Sequence, residues 1–366
     1  MALIKDVYNK TFYKEFGAQA VKVIPGFSTE KFIKKIYSSD FENLEWKERL
    51  QLSTRILHQF MPENYETGAS NLCAIIENNK SEGHYTSTFP YLFFQDYIAT
   101  YGLEHFEISM DAIGRITTFI SGEFAVRPFI IRYGLPAIEI ILQWSLSDNI
   151  HIRRLASEGS RPRLPWGVAL QTLKRDPAPI LPILENLKTD PSEYVRRSVA
   201  NSLNDIGKDH PDLLIRIAKS WKGISKDTDG IIKHACRNLL KQGREEILQL
   251  YGLDGKNAEV DQFRIINPVV RVGEAVHFDF NLENKISDIQ HIRLEYAVYY
   301  LRANGSHSKK VFKISEKSYP GNENIPVSRK QSFKIITTRT FYPGTHYLTI
   351  IANGREGDKI AFELIQ

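Results

Sequence analysis

Two short segments of this 366-residue chain gather side chains able to act on a charged substrate. The first is Thr117-Thr118-Phe119-Ile120-Ser121-Gly122-Glu123-Phe124-Ala125-Val126-Arg127-Pro128-Phe129. Here a glutamate follows a glycine among aromatics, with an arginine and a proline just beyond. The second runs Arg154-Leu155-Ala156-Ser157-Glu158-Gly159-Ser160-Arg161-Pro162-Arg163-Leu164-Pro165-Trp166. It begins as a helix and turns into a loop with two prolines, two arginines and a tryptophan. A carboxylate can stabilise a neighbouring positive charge or serve as a general base. An aromatic face attracts a cation, and arginines hold anions. Folding alone does not require such an insertion in a helical pattern, and local departures of this kind concentrate at functional positions.

Other chemistries lack their signatures. The ten histidines form no His-Glu-x-x-His helix. There is no Walker-type phosphate loop and no Gly-x-Ser-x-Gly elbow. Cys73 and Cys236 are too few for a disulfide scaffold or a cysteine-based zinc site, and they suit a reducing cytosol. No metal and no cofactor is expected. No apolar run approaches the roughly 18 residues that span a bilayer, and the first ten residues lack a signal-peptide core.

The elements that must position these segments fall into two classes. Up to residue 255 the chain reads as helical. Ile108, Ala112, Ile113, Ile116 and Ile120 share one helix face. Leu135 to Leu146 is a dense apolar helix with Pro136 in its first turn. A repeat is visible. Asp190-Pro191-Ser192-Glu193-Tyr194-Val195-Arg196-Arg197 matches Ser147-Asp148-Asn149-Ile150-His151-Ile152-Arg153-Arg154, and a further copy surrounds Ile232-Lys233-His234-Ala235. Helix pairs repeating at roughly 40 residues look like HEAT repeats, which stack into a solenoid. Equivalent positions Arg154, Arg197 and His234 would then line one face, and a row of cations on a concave face suits a duplex backbone. Arg153 and Arg196 read equally well as caps on neighbouring aspartates.

After Gly255 the period changes. Val270 and Val272, then Val276, Phe278, Phe280 and Leu282, then Ile292, Leu294, Tyr296, Val298 and Tyr300, alternate with polar residues. Asn304-Gly305, Pro320-Gly321, Pro343-Gly344 and Asn353-Gly354 are turn signals. The expected fold is mainly α, a HEAT-like α-solenoid over residues 1–255, followed by a small all-β immunoglobulin-like sandwich over 258–366, with a linker near Asp254 to Val260. The sandwich lacks a Cys–Trp–Cys core. Lys309-Lys310 read as a strand edge kept soluble.

Charge is uneven. The whole chain carries +5. Residues 151–250 hold 18 lysines and arginines against 12 acids; residues 1–150 hold 14 against 18, and residues 258–366 hold 15 against 12. A positive excess in the middle and at the end is the footprint of a polyanion binder.

The stretch Ser157 to Trp166, together with Gly122 to Phe129, resembles the AlkC family of alkylpurine DNA glycosylases, which is related to AlkD and built from HEAT-like repeats. The similarity covers about residues 1–255, and the sandwich resembles the immunoglobulin-like domain of one subgroup. The resemblance implies base excision repair: monofunctional, metal-free hydrolysis of the N-glycosidic bond of cationic N3-methylated bases, 3-methyladenine and 3-methylcytosine, without a deep base pocket. It implies Glu123, Glu158, Trp166 and Asp205 as catalytic residues, the last within Asn201-Ser202-Leu203-Asn204-Asp205-Ile206-Gly207-Lys208. The chemistry fits. An N3-methylated base is already cationic and leaves without protonation, so the protein needs only to stabilise an oxocarbenium-like sugar and position a water.

Each residue also has a plain reading. Glu123 could be a helix N-terminal charge, Glu158 a brace for Arg161, Asp205 a partner of Lys208, and Trp166 packing under the loop. Arg161 and Arg163 could be solvated. The candidate DNA contacts are Arg127, Arg154, Arg161, Arg163, Arg197 and His234. The expected partner is double-stranded DNA with alkylated bases, met by a monomer in the cytoplasm, at the nucleoid, and not at a membrane. The alternative is a HEAT-repeat DNA-binding or scaffold protein without catalysis.

Overall fold

The computed structural model describes residues 3–38, 40–83, 85–253, 258–336 and 339–366. Asp254, Gly255 and Lys256, where the sequence places the change of period, lie outside the described residues. The chain forms two compact units. One comprises Met1–Leu214 and Trp221–Ala235, the other Ile215–Ser220 and Cys236–Gln366.

The first unit is a helical array. Its N-terminal part closes on an aromatic core: Phe12, Tyr13, Phe16, Phe32, Phe93 and Phe94 are buried, and their rings meet edge-on or tilted. Each such side chain contributes roughly 1.5–3 kcal/mol by leaving water. The repeats follow. Helix Leu135–Trp144 starts on Pro136 and leads to helix Ile150–Gly159, capped by Asn149, whose side chain accepts from the His151 amide at 2.9 Å. Ile150–Gly159 packs against Glu193–Asp209, which in turn packs against Lys226–Ala235. The Asp-Pro corner joins the repeats. Asp190 takes Arg153 at 2.7 Å and the Ser192 amide at 2.8 Å. Arg196 donates to the carbonyls of Asp190 and Pro191 and pairs with Asp227 at 3.2 Å. Of the two readings of Arg153 and Arg196, the cap is the one found. These ties set the stacking of the helices that carry the site.

The second unit is the immunoglobulin-like sandwich. Its strands are β1 (Ala258–Ile265), β2 (Val269–Arg271), β3 (Ala275–Asn284), β4 (Gln290–Leu301), β5 (His307–Tyr319), β6 (Asn324–Ser332), β7 (Gly344–Ala352), β8 (Arg355–Glu356) and β9 (Ile360–Ile365). One sheet has the order β1-β3-β6 and the other β2-β9-β7-β4-β5, with β8 on β7. Val260 lies within β1, not in a connection. The alternating residues Val276, Phe278, Phe280 and Leu282 of β3 and Leu294 and Val298 of β4 fill the space between the sheets. Helices Arg237–Lys241 and Glu245–Leu250 belong to this unit, and Leu248 reaches to Gly354. Lys309 and Lys310 lie on β5, the edge strand, and Lys309 pairs with Glu356 at 2.6 Å.

Candidate active site

Glu123 is placed by a tight turn at Gly122. A Cβ at Gly122 would come within 2.9 Å of Ile113 and 3.2 Å of Gln95. Gln95 holds the turn from below, donating to the Ile120 carbonyl at 3.1 Å, and Thr117 accepts the Gly122 amide at 3.2 Å. The turn then opens helix Val126–Tyr133, whose first amide bonds back to the Gly122 carbonyl. Glu123 therefore projects just ahead of a helix N-terminus, where a negative charge is favoured. It accepts from Ser121 and from Arg154 at 3.0 Å.

The second segment is folded around Arg127. This side chain is fully buried and donates to the carbonyls of Val168 at 2.6 Å, Gly159 at 3.0 Å and Arg161 at 2.9 Å. It clasps both feet of the loop after helix Ile150–Gly159. Burial, helped by nearby Arg161, pulls its guanidinium down to about 10. A side chain with no exposed surface does not reach a phosphate, so the expected DNA contact at Arg127 is replaced by a loop brace. Type and neighbourhood in sequence suggested a ligand; the facing backbone carbonyls decided otherwise.

Helix Ile150–Gly159 brings Glu158 to the foot of this loop. Glu158 accepts from Arg161 and from Ser198, each at 2.6 Å, and lies 3.8 Å from Arg154. Arg161 also grips Asp205 at 2.9 Å, and Lys208 takes the other oxygen of Asp205 at 2.9 Å. The result is one chain of charges: Glu123, Arg154, Glu158, Arg161, Asp205. The two turns and the helix Glu193–Asp209 thus bring together three carboxylates that lie far apart in sequence. Burial depresses Arg161, but Glu158 and Asp205 together outweigh it and hold the guanidinium above its ordinary value. Arg161 is nearly enclosed rather than solvated, and it is turned inward. Three acids face Arg154, Arg161 and Lys208, with the buried Arg127 close behind them.

Trp166 departs from the packing reading. It is 83% exposed, with φ at +64°. A bulky residue in the left-handed region costs roughly 1–2 kcal/mol, and such strain persists where the surrounding fold imposes it. The ring lies 6.5 Å from that of Trp46.

A solved structure of the Pseudomonas fluorescens alkylpurine DNA glycosylase AlkC, bound to DNA containing an abasic-site analogue, matches this chain with a TM-score of 0.92 at 34% identity, over all of both chains. The chain belongs to the AlkC family. An "uncharacterized protein YhaZ" of Bacillus subtilis (strain 168) is 40% identical to it over the full length of both. Residues 259–366 match the family model described as the C-terminal Ig-like domain of the uncharacterised protein YhaZ.

Within this member of the AlkC family the remaining expected contacts differ in accessibility. Arg197 is exposed and pairs with the equally exposed Glu193, four residues before it, at 2.9 Å. His234 is exposed and shares a hydrogen bond with Asn201 at 3.1 Å. Arg163 is partly exposed and bridges to Asp209. Arg154 does not stand free beside Arg197; it is turned toward the acids. Among the described residues no group of histidine, cysteine and acid side chains is arranged to hold a metal ion. No helix there is long and apolar enough to cross a membrane.

Sequence reasoning missed Tyr194 and Ser198. The guanidinium of Arg154 sits 5.0 Å above the Tyr194 ring. Burial, opposed by Arg154, raises the Tyr194 phenol. Ser198 links Ser157 to Glu158. Tyr194, Ser198 and Asp205 recur at helical spacing, so one stripe of a single helix meets the cluster. That stripe was readable once Asp205 was suspected.

Proposed function

We propose that the protein is a DNA glycosylase that excises cationic N3-methylated bases, 3-methyladenine and 3-methylcytosine, from double-stranded DNA by hydrolysis. The carrying observation is the gathering of Glu123, Glu158 and Asp205 at the foot of the loop that carries the exposed Trp166, in a chain of the AlkC family. A cationic base leaves with the electron pair of the N-glycosidic bond and becomes neutral, so no general acid is needed. The positive charge then develops on the sugar. Carboxylates beside it stabilise that charge, and one of them takes a proton from the attacking water. Trp166 offers an aromatic face to the same charge.

The pairing of Arg154 with Glu123 gives DNA a part in this chemistry. In the free protein Arg154 neutralises Glu123. A backbone phosphate competes for that arginine, and the acid it releases faces the sugar. Arg161, enclosed between two acids, stays in place as a positioning residue. Arg163, Arg197 and His234 supply phosphate contacts on the accessible side. In this reading the protein acts as a monomer on DNA of the cytoplasm, at the nucleoid.

Glu158→Gln keeps the shape and removes the charge. Release of 3-methyladenine from methylated duplex is expected to fall about 10²–10³-fold, while duplex affinity holds within a few-fold. Unchanged release would make Glu158 a brace for Arg161 and nothing more. No release by the unaltered protein would leave a DNA-binding solenoid without catalysis.

A further inference from the structure

The three carboxylates are held differently, and the difference lies in the hydrogens around them. Asp205 has a cation on each oxygen, Arg161 on Oδ2 and Lys208 on Oδ1, both at 2.9 Å. Glu123 meets Arg154 at 3.0 Å, and the Ser121 hydroxyl that donates to it also accepts from Arg154. Glu158 has a cation on one oxygen and a hydroxyl on the other. Arg161 donates to Oε1 and Ser198 to Oε2, each at 2.6 Å. Behind Ser198 stands Ser157 at 2.6 Å, and the Oγ of Ser157 lies 3.1 Å from the Arg154 carbonyl. Both serines are buried. Guanidinium and ammonium groups only donate, whereas a hydroxyl donates one hydrogen and also accepts.

This chain of hydroxyls satisfies either state of Glu158. With the carboxylate ionised, Ser198 donates to Oε2 and Ser157 donates to Ser198. With a proton on Oε2 the direction reverses: Oε2 donates to Ser198, Ser198 to Ser157, and Ser157 to the Arg154 carbonyl. Hydrogens rotate and no heavy atom moves. Asp205 has no such alternative, because a proton on either oxygen would face an N–H donor, and a buried donor without an acceptor is costly. At Glu123, Ser121 has no second acceptor among the described residues to which its hydrogen could turn.

We infer that Ser198 and Ser157 are positioning residues that make Glu158 the acid which takes the proton of the attacking water. The inference rests on the hydrolytic function proposed above. The electron pair of the N-glycosidic bond leaves with the base, the water oxygen bonds to the sugar carbon, and the water proton passes to Oε2 of Glu158. Reversal of the hydroxyl chain then turns that proton from the sugar toward Ser198. Glu158 faces Arg154 at 3.8 Å on its own helix, Arg161 on the loop, Tyr194 on helix Glu193–Asp209 and, farther off, Arg127 on helix Val126–Tyr133. Glu123 lies across Arg154 and Asp205 across Arg161. A substitution at Ser198 removes none of these charges, so its effect on pH dependence reads the hydroxyl itself.

The test uses the full chain and follows single-turnover release of 3-methyladenine from methylated duplex as a function of pH. Ser198→Ala should slow release about tenfold near neutral pH and move the acidic limb of the profile up by about one unit, because the ionised acid has lost a donor. Ser157→Ala should act in the same direction and less, since Ser198 still donates. Ser198→Thr keeps the hydroxyl and should restore the limb. Ser202 lies one turn along the same helix, buried, and its Oγ has no hydrogen-bond partner among the described residues. Ser202→Ala should change neither rate nor limb, and duplex affinity should hold within a few-fold throughout. A second readout needs no catalysis: the preference for duplex carrying a cationic pyrrolidine abasic analogue over the neutral tetrahydrofuran analogue. In Ser198→Ala that preference should fade at a higher pH than in the unaltered protein. Release with an unmoved limb and an unmoved preference in Ser198→Ala, or equal changes in Ser202→Ala, overturns the inference and leaves the glycosylase reading standing. No release, with a preference that Ser198→Ala shifts, rejects the glycosylase reading and keeps the hydroxyl chain as what sets the protonation of Glu158. Neither release nor preference overturns both.

Discussion

The helical unit and the sandwich each bury an arginine between two carboxylates. Arg161 joins Glu158 at 2.6 Å to Asp205 at 2.9 Å, and Arg293 joins Glu295 at 2.6 Å to Glu316 at 2.8 Å. In both, the acids outweigh burial and hold the guanidinium above its ordinary value. As charge clusters the two are nearly the same object. What surrounds them differs. The sandwich trio lies on the paired strands β4 and β5, with Lys313 on Glu316 at 2.7 Å. The helical trio continues outward through Arg154 to a third acid, rests on Tyr194, and borders a strained, exposed tryptophan and an apolar cleft. A buried ion pair is thus weak evidence for a site; access for a substrate and irregular backbone are what separate the two. Desolvation largely cancels the attraction within such pairs, so neither cluster is expected to exist for stability alone.

Paired substitutions put that contrast at risk. Glu123→Gln should lower the single-turnover excision rate by about 10²–10³-fold and change stability little. Glu295→Gln, which strips one acid from the enclosed Arg293, should leave the rate per folded molecule unchanged and destabilise the sandwich by about 3–5 kcal/mol. Denaturant unfolding and excision assays on the same preparations read both quantities. If the two substitutions behaved alike, access would not be what distinguishes the clusters.

The contrast sharpens further in salt. Arg197 is 70% exposed at its side chain, Arg161 only 9%. Replacing Arg197 by Gln should lower the slope of log affinity against log salt by about one. An Arg161→Gln protein that remains folded should keep the slope of the unaltered protein. A slope unaffected by Arg197 would remove it from the DNA face.

The smallest effect separates the units by pH. His346 lies inside the sandwich; its Nε2 meets the Tyr342 carbonyl at 3.0 Å and its Nδ1 accepts the Leu301 amide at 3.3 Å, an arrangement that needs the neutral ring. Burial, helped by nearby His307, lowers its folded value below the ordinary one, against an opposing pull from the Tyr342 carbonyl and Glu363. The unfolded chain takes up the proton at about 6.5, while the folded ring does not. Stability is therefore fully present above that pH and declines as pH falls from about 6.5 toward the lowered folded value, by up to roughly 1.4 kcal/mol per pH unit. Denaturant midpoints of the sandwich transition between pH 7 and 5 should show this, and His346→Gln should flatten it. An unchanged slope in His346→Gln would assign the acid sensitivity to other groups.

Much of the architecture was legible because it rests on periodicity. Val276, Phe278, Phe280 and Leu282 announced a strand with one buried face, and the Asp-Pro corners with Val-Arg-Arg announced stacked repeats. The two interrupted segments, Gly122 to Arg127 and Glu158 to Trp166, also stood out, because glycine, proline and tryptophan there serve no helix. The partners of each charged residue were not legible. Whether Arg127 faces a phosphate or a carbonyl depends on what helix Val126–Tyr133 packs against. Whether Trp166 is core or exposed depends on a backbone angle that composition does not encode. Tyr194 and Ser198 share the helical stripe of Asp205, a spacing the sequence carries; that this stripe meets Arg154 and Glu158 is set by how the helix packs on Ile150–Gly159.

Arg127 also bears on how such a loop can diversify. It binds carbonyl groups, which every residue possesses, at Gly159, Arg161 and Val168. The grip is therefore indifferent to the side chains it holds. The tip at Pro165 and Trp166 lies between the clasped feet and is exposed. Substitutions, and even a change of length by a residue or two, can accumulate there without loosening the Glu158 and Arg161 end. A lineage carrying this arginine can explore new tip chemistries one residue at a time while the acids stay in register.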